Sequence, residues 1–457
     1  MYFSVSEVCN ILGNIKNLNN TKKEFLTFRN ISIDSRTILK GDLFIAIKGN
    51  KFDGHNFLSE AVKKGAESVV IKEGMEYLLP EKIPYWIVNN TLEAFQKLAL
   101  LKRKKLNIPL VAITGSVGKT TTKEMIGKVL EKLGKVKLSY ANFNNEIGVA
   151  LTILGTDSAD KVLVLEMGMR GLGQIENLSK YTEPDIAVIT NIGSAHIGLL
   201  GSKENITNAK CEITKFLNPN GVVLIPANNL FLEETLKRYW NGRIIKVELL
   251  DINERKNQFK KDQNLRGFYN RIKKTIVIED KIFNISLEGF HNASNFMFAF
   301  AVAKEMGVDF KYLNKFNFVP LEGRNKILKS FKTTIYDESY NASPESMKAC
   351  IETLLERPRN HFVIFGSMQE LGNMTRKYHK EILDIINNSD IIKCIFICDI
   401  EDEIYYSNYL KRSKKFIFSN DINNVAELIN KFTQKGDSIL IKGSRFWQLE
   451  KIVNLIN

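Results

Sequence analysis

The stretch VAITGSVGKTTTKEMI, residues 111–126, decides the fold. It begins as an apolar strand, PLVAIT, passes through a Gly–Lys–Thr turn and continues with the pattern of a helix. Amides from Gly115 to Thr120, through Ser116, Val117, Gly118 and Lys119, are placed to surround phosphate oxygens. The N-terminus of the following helix adds its positive end. Lys119 reaches β and γ oxygens, and Thr120, followed by Thr121, offers a hydroxyl to Mg²⁺. Ile113 stands where the long phosphate-loop pattern has its first glycine, so only the short form, Gly-x-x-Gly-Lys-Thr, is present. That short form also occurs as a coincidental turn; the strand before it and the helix after it favour phosphate.

Around this stretch the sequence alternates strand and helix patterns. KVLVLEMG, PDIAVITNIG and GVVLIPANN are near-continuous apolar runs separated by helical segments, which predicts a mainly parallel sheet covered on both faces. Before residue 108 lies a smaller α/β module: VSEVCNILG as helix, LFIAI as strand, then FLSEAVKKGAESVVI as helix, Gly65 and strand. From Pro320 onward IYDESYN, HFVIFGSMQELG, IIKCIFICDI, KKFIFS and DSILIKGS are candidate strands of a third α/β block. The segment 251–274, rich in lysine and arginine, reads as a basic surface loop or a charged helix. A chain of 457 residues fits about three domains.

Lys plus Arg is 65 against 51 for Asp plus Glu, a formal +14, but the lysines are dispersed and no nucleic-acid motif accompanies them. The excess suits anionic small molecules. Five cysteines without metal-type spacing fit a reducing compartment, and Cys394 and Cys398 fit a strand core. No secretory signal pattern and no apolar run long enough to span a bilayer occurs, so a cytoplasmic protein without a membrane span is expected.

Several further residues carry two readings each. Glu166 and His196 follow apolar strands, where open sheets place ligands; a solvated strand end and a packing histidine are the plain alternatives. Lys210, in NITNAKCEI, is by default a surface lysine on a helix, with Glu212 its solvated neighbour. Asn292 and Asn295 share a helical face and either cap that helix or face an adenine edge.

Taken together, GSVGKTTT (115–122), EMGMRGLGQI (166–175), TNIGSAHIGLLGS (190–202), NAKCEI (208–213), HNASNFMFAFAVA (291–303), EGR (322–324) and YDESYNASPESM (336–347) resemble the Mur ligase family, the ATP-dependent amide-forming enzymes of peptidoglycan synthesis. ANFNNEIGVALTIL (141–154), DESYNASPESMKA and FGSMQELG (365–372) are similar to its dipeptide-adding branch. The resemblance implies a three-domain α/β architecture: a UDP-sugar-binding domain at 1–107, a central P-loop ATP-binding domain with mainly parallel sheet at 108–316, and a Rossmann-like domain at 317–457 that closes on ATP and binds the dipeptide.

The implied activity joins D-alanyl-D-alanine to UDP-N-acetylmuramoyl-tripeptide through an acyl phosphate, with ATP and two Mg²⁺ ions, by a monomer serving cell-wall growth, shape and division. By the same resemblance Lys119, Glu166, His196 and Lys210 are catalytic, and Thr120, Glu166, His196 and Lys210 serve the metals, Lys210 as an N6-carboxylysine. Asn292 and Asn295 contact adenine, while Arg324 and Asp337 close on ATP. Ser35, Arg36, Asp53 and His55 lie near the UDP-sugar, Asn144 and Asn145 near the peptide, and Tyr340 and Asn341 near the dipeptide. Ser367, Ser343 and the PANN run at 226–229 depart from the family's usual residues. A folyl-polyglutamate-type ligase is the alternative, but it leaves the 31–70 block without a role.

Overall fold

The apolar run that opens the phosphate stretch is the strand Leu110–Thr114, buried at every position. A computed structural model describes residues 2–18, 26–257, 264–315, 318–330, 332–358 and 360–456. The chain divides into two compact units, and the division falls inside that strand. One unit comprises Met1–Val111, Leu133–Met167 and Asn177–Asp185; the other comprises Ala112–Lys132, Gly168–Glu176 and Ile186–Asn457.

In the first unit Ile31–Ser32, Asp42–Ile45, Ala66–Lys72 and Tyr85–Val88 form a four-stranded parallel sheet. Phe44, Leu58, Val69 and Ile71 are core residues beside it. The helix Thr91–Leu106 packs on the helix Glu146–Leu154. At its C-terminal end, Arg103 is buried with a 2.8 Å pair to Asp185 and a bond to the Thr182 carbonyl. Lys135–Leu138 and Asp160–Glu166 pair in parallel.

In the second unit Ile186–Ile189, Val222–Pro226, Arg243–Asp251 and Asn264–Asn270 run parallel, and Thr275–Ile278 and Lys281–Asn284 add an antiparallel edge. Ile186–Ile189 is flanked by Val222–Pro226 on one side and by Leu110–Thr114 on the other. The basic segment 251–274 is a short charged 3-10 helix at Ile252–Asn257 and a turn at 271–274, but between them its described part is neither loop nor helix. Its residues 264–270 are strand, while 258–263 lie outside the described residues. The reason is local: Gly267 packs under Met297 and Tyr269 is buried, an alternation that the surrounding lysines and arginines mask.

The six-stranded sheet runs Lys326–Lys329, Thr333–Glu338, Asp437–Lys442, His361–Gly366, Ile391–Ile397, Phe416–Ser419, parallel except for its first pair. All five strands expected after Pro320 are present, and Lys326–Lys329 is an addition. Cys394 and Cys398 are buried and all five cysteines are free thiols. No helix among the described residues is long and apolar enough to cross a membrane.

Candidate active site

Two glycines shape the phosphate loop of the second unit. Gly118 sits at φ +81° just before the helix Lys119–Leu130, and a Cβ there would lie 2.6 Å from Asn295 Oδ1. A Cβ on Gly115 would collide with Thr190 Oγ1. Only glycine meets both demands, left-handed backbone and close approach. Asn191 braces the loop from the next strand end: its Oδ1 accepts from the Ser116 and Val117 amides at 3.1 and 3.0 Å, and its Nδ2 donates to the Val117 carbonyl. Thr190 Oγ1 donates to that carbonyl too. Two of the amides expected to surround phosphate are thus bonded within the protein. Lys119 Nζ donates to the Gly115 carbonyl at 2.8 Å, and Thr120 and Thr121 are buried at the helix start.

Lys210 is not a surface lysine. It lies on the helix Lys203–Cys211 with 2% of its surface exposed and forms no ion pair with any described residue. Burial first, and the Lys119 ammonium second, hold its pKa well below the usual lysine range. Glu212 is likewise buried rather than solvated; it accepts from the Gly173 and Glu176 amides, and burial raises its pKa.

His196, half-buried at φ +66°, places Nδ1 2.5 Å from Glu370 Oε2, off hydrogen-bond alignment. The ring beside it holds the Glu370 carboxyl below its ordinary range despite partial desolvation, and Arg170 approaches the other oxygen at 3.3 Å. Glu345 accepts from the Ser194 amide and hydroxyl at 2.7 and 2.8 Å. Sequence reasoning assigned no role to Asn191, Glu345 or Glu370; all three stand inside quoted motifs, and that was the available signal.

Asn292 and Asn295 neither cap their helix by side chain nor stand exposed. Gly289 precedes the helix Phe290–Glu305, and both asparagines are buried. Asn295 Oδ1 accepts from Thr122 Oγ1, and Asn292 Nδ2 donates to Asn325 Oδ1 at 2.7 Å. Asp337 is buried and accepts from the Gly323 and Ser339 amides. Arg324 stacks 3.9 Å over the Tyr340 ring, with Arg445 more distant on it. Asn341 Oδ1 accepts from the Arg445 amide.

In the first unit Glu166 is buried at the end of its strand, and Asn144 Nδ2 donates to its Oε1 at 2.9 Å. Asn145 caps the helix Glu146–Leu154 by accepting from the Gly148 amide. His55 is buried, with Nδ1 2.6 Å from Asp53 and Nε2 accepting from the Lys72 amide, contacts that join a turn to a strand. Ser35 donates to Glu60, and Arg36 is exposed in a pair with Asp34.

A loop of this build, at the carboxyl edge of a parallel sheet, defines a phosphate-loop α/β enzyme. Comparison with known proteins narrows that class. The family model for the Mur ligase family, catalytic domain, matches residues 27–111, that for the Mur ligase middle domain 113–303, and that for the Mur ligase, glutamate ligase domain 323–445. A UDP-N-acetylmuramoyl-tripeptide–D-alanyl-D-alanine ligase of Synechocystis sp. is 36% identical over 79% of this chain and 77% of its own. One from Bacillus subtilis is 34% identical over 95% and 94%. Among solved structures, a MurF from Acinetobacter baumannii superposes with a TM-score of 0.85 at 24% identity over 100% and 99% of the two chains, which speaks for the fold. A MurF ligase from Thermotoga maritima in complex with ADP gives 0.79 at 29% identity over 94% and 97%.

The chain belongs to the Mur ligase family and has its three-domain α/β architecture. It is an ATP-dependent ligase closely related to the UDP-N-acetylmuramoyl-tripeptide–D-alanyl-D-alanine ligases.

Proposed function

We propose that this chain joins D-alanyl-D-alanine to UDP-N-acetylmuramoyl-tripeptide in peptidoglycan precursor synthesis, releasing ADP and phosphate. The observation that carries the reading is the burial of Lys210 near Lys119 without a carboxylate partner among the described residues. An isolated ammonium is costly there. A neutral amine takes up CO₂ and releases a proton to become a carbamate, which provides an anionic oxygen ligand. The names of the relatives, similar over nearly the whole chain, support the substrates. The ADP of the Thermotoga complex supports the nucleotide.

The donors fit Mg²⁺, which favours oxygen ligands. The Thr120 hydroxyl, a Lys210 carbamate and His196 would hold it in the second unit; in the first, Glu166, whose Oε1 accepts from Asn144 Nδ2, is by itself a further carboxylate of the type Mg²⁺ favours. With the Glu370 carboxylate beside Nδ1, His196 would offer Nε2 to the ion, and the carboxylate would restrain the ring. When bound, Mg²⁺ neutralises charge on the phosphates. The tripeptide's terminal carboxylate oxygen attacks the γ-phosphorus, and the bond to the ADP oxygen breaks. Lys119 turns from the Gly115 carbonyl to the transferring phosphoryl and stabilises its charge. The free amine of the dipeptide then attacks the acyl carbon; phosphate leaves, a proton departs from nitrogen, and the amide remains.

We further assign residues 1–107 to the UDP-sugar, 108–316 to ATP and 317–457 to closure and the dipeptide, in a cytoplasmic monomer. Incubation with ATP, Mg²⁺, D-alanyl-D-alanine and either the L-lysine or the diaminopimelate tripeptide, followed by mass detection, tests the function. A pentapeptide product supports it, and nucleotide turnover with no new amide overturns it.

A further inference from the structure

Away from the phosphate loop, a cavity of about 170 Å³ lies in the second unit, with His291, Asn325, Tyr336, Glu338, Cys350 and Leu440 in its wall. Three different metal-ligating groups meet there. His291 opens the helix Phe290–Glu305, Glu338 ends the strand Thr333–Glu338, and Cys350 lies in the helix Pro344–Leu355. One donor atom from each lies within 4.8 Å of the other two. Donors around a tetrahedral zinc ion stand roughly 3.5 Å apart, from bonds of about 2.0–2.3 Å, so rotamer-scale movement closes the set.

We infer that His291, Glu338 and Cys350 form a binding site for a thiophilic divalent cation of the zinc class, with a fourth position open to the cavity. The inference rests on these three side chains and not on the ligase reading.

The donor chemistry favours zinc over magnesium, because a thiolate is a soft ligand that suits zinc and that a hard cation avoids. Charge is largely offset as well. Thiolate and carboxylate each offset one charge of the ion, the thiol proton passes to solvent as the metal–sulfur bond forms, and the Lys442 ammonium beside Glu338 leaves the site one net positive charge. Glu338 remains able to ligate although Oε1 accepts from the Asn325 amide and Oε2 lies 3.6 Å from Lys442 Nζ, since each carboxylate oxygen has a second lone pair. Burial pulls the His291 pKa down to about 4, so its ring is neutral at pH 7 and keeps a lone pair for a metal. The same burial pushes the Cys350 thiol up to about 12, which keeps it protonated until a cation displaces the proton. Occupancy would tie two helices and a strand together.

Cobalt(II) titration of the full chain is the test, because a thiolate–cobalt bond gives a near-ultraviolet charge-transfer band and four-coordinate cobalt a strong visible one. One equivalent should produce both bands, and zinc should abolish them. Cys350→Ser should remove the charge-transfer band, and Glu338→Gln should weaken cobalt binding at least ~10-fold, the cost of losing even an outer-shell partner. Absence of the band in the unaltered chain, or its persistence in Cys350→Ser, overturns the inference. If Cys350→Ser does not fold, unchanged cobalt affinity in Glu338→Gln overturns it equally, and a weakened affinity sustains it.

Discussion

Gly118→Ala tests whether the phosphate loop is built as described. An alanine at φ +81° meets the left-handed penalty of about 1–2 kcal/mol. Its Cβ would also stand 2.6 Å from Asn295 Oδ1, closer than such contacts occur, so Asn295 has to move. Moving it forfeits the 3.2 Å bond from Thr122 Oγ1, worth about 0.5–1.5 kcal/mol. The total, about 1.5–3.5 kcal/mol, corresponds to roughly 3–14 °C in melting temperature for a domain of about 200 residues. Calorimetric melting of Gly118→Ala, Asn295→Ala and the double variant separates the two parts. Asn295→Ala removes the obstacle but not the backbone penalty. The double variant should therefore be less destabilised than the sum of the singles by about 1 kcal/mol. Strict additivity, or Gly118→Ala melting like the unaltered chain, would refute the contact.

Lys119→Ala should lower ligation at least ~10²-fold while melting stays unchanged; near-normal turnover removes Lys119 from the mechanism. Lys210→Ala should lose most activity and regain part of it with acetate, whereas Lys210→Arg should stay inactive, because guanidinium does not form a carbamate; full activity in Lys210→Ala would return this lysine to a structural role. Arg103→Ala should destabilise by about 1.5–3 kcal/mol, since it removes one charged hydrogen bond from Asp185, which is partly exposed and keeps the Leu110 amide, and chemical denaturation reads that directly. His379, buried between the Met368 amide and the Thr375 carbonyl, has its pKa pulled down to about 4 by burial. The unfolded chain then binds the extra proton first, so this contribution to stability is intact above about pH 6.5 and is lost as pH falls toward about 4. His379→Gln should flatten the melting-temperature profile across that window, and an unchanged slope would count against it.

The strands that follow simple patterns were legible. Leu110–Thr114, Asp160–Glu166, Ile186–Ile189 and Val222–Pro226 are apolar along nearly their whole length because parallel strands are covered on both faces. The strand Asn264–Asn270 was not, since its buried alternation is two residues deep within a basic segment. The site divides in the same way. Lys119 and Thr120 are set by local spacing, and Glu166 and His196 by strand ends. What spacing does not encode is approach in three dimensions: Asn191 taking up two loop amides, Glu370 reaching His196, and Asn295 lying under Gly118. The helix KENITNAKC reads as solvated, yet it buries Ile206, Thr207, Ala209 and Lys210 together. Burial of a polar helix depends on what covers it, and no single-sequence pattern records that. His55 and Asn145 add bonds within the protein, to the Lys72 and Gly148 amides, that residue type alone does not reveal.

The central claim is that the tripeptide's carboxylate is activated by phosphoryl transfer before the amine attacks. Tripeptide substrate carrying ¹⁸O in both oxygens of its terminal carboxylate tests this most directly. With ATP and D-alanyl-D-alanine, the acyl-phosphate route predicts one ¹⁸O in the released phosphate and one in the new amide carbonyl, read by mass spectrometry of both products. Unlabelled phosphate accompanying amide formation would contradict it.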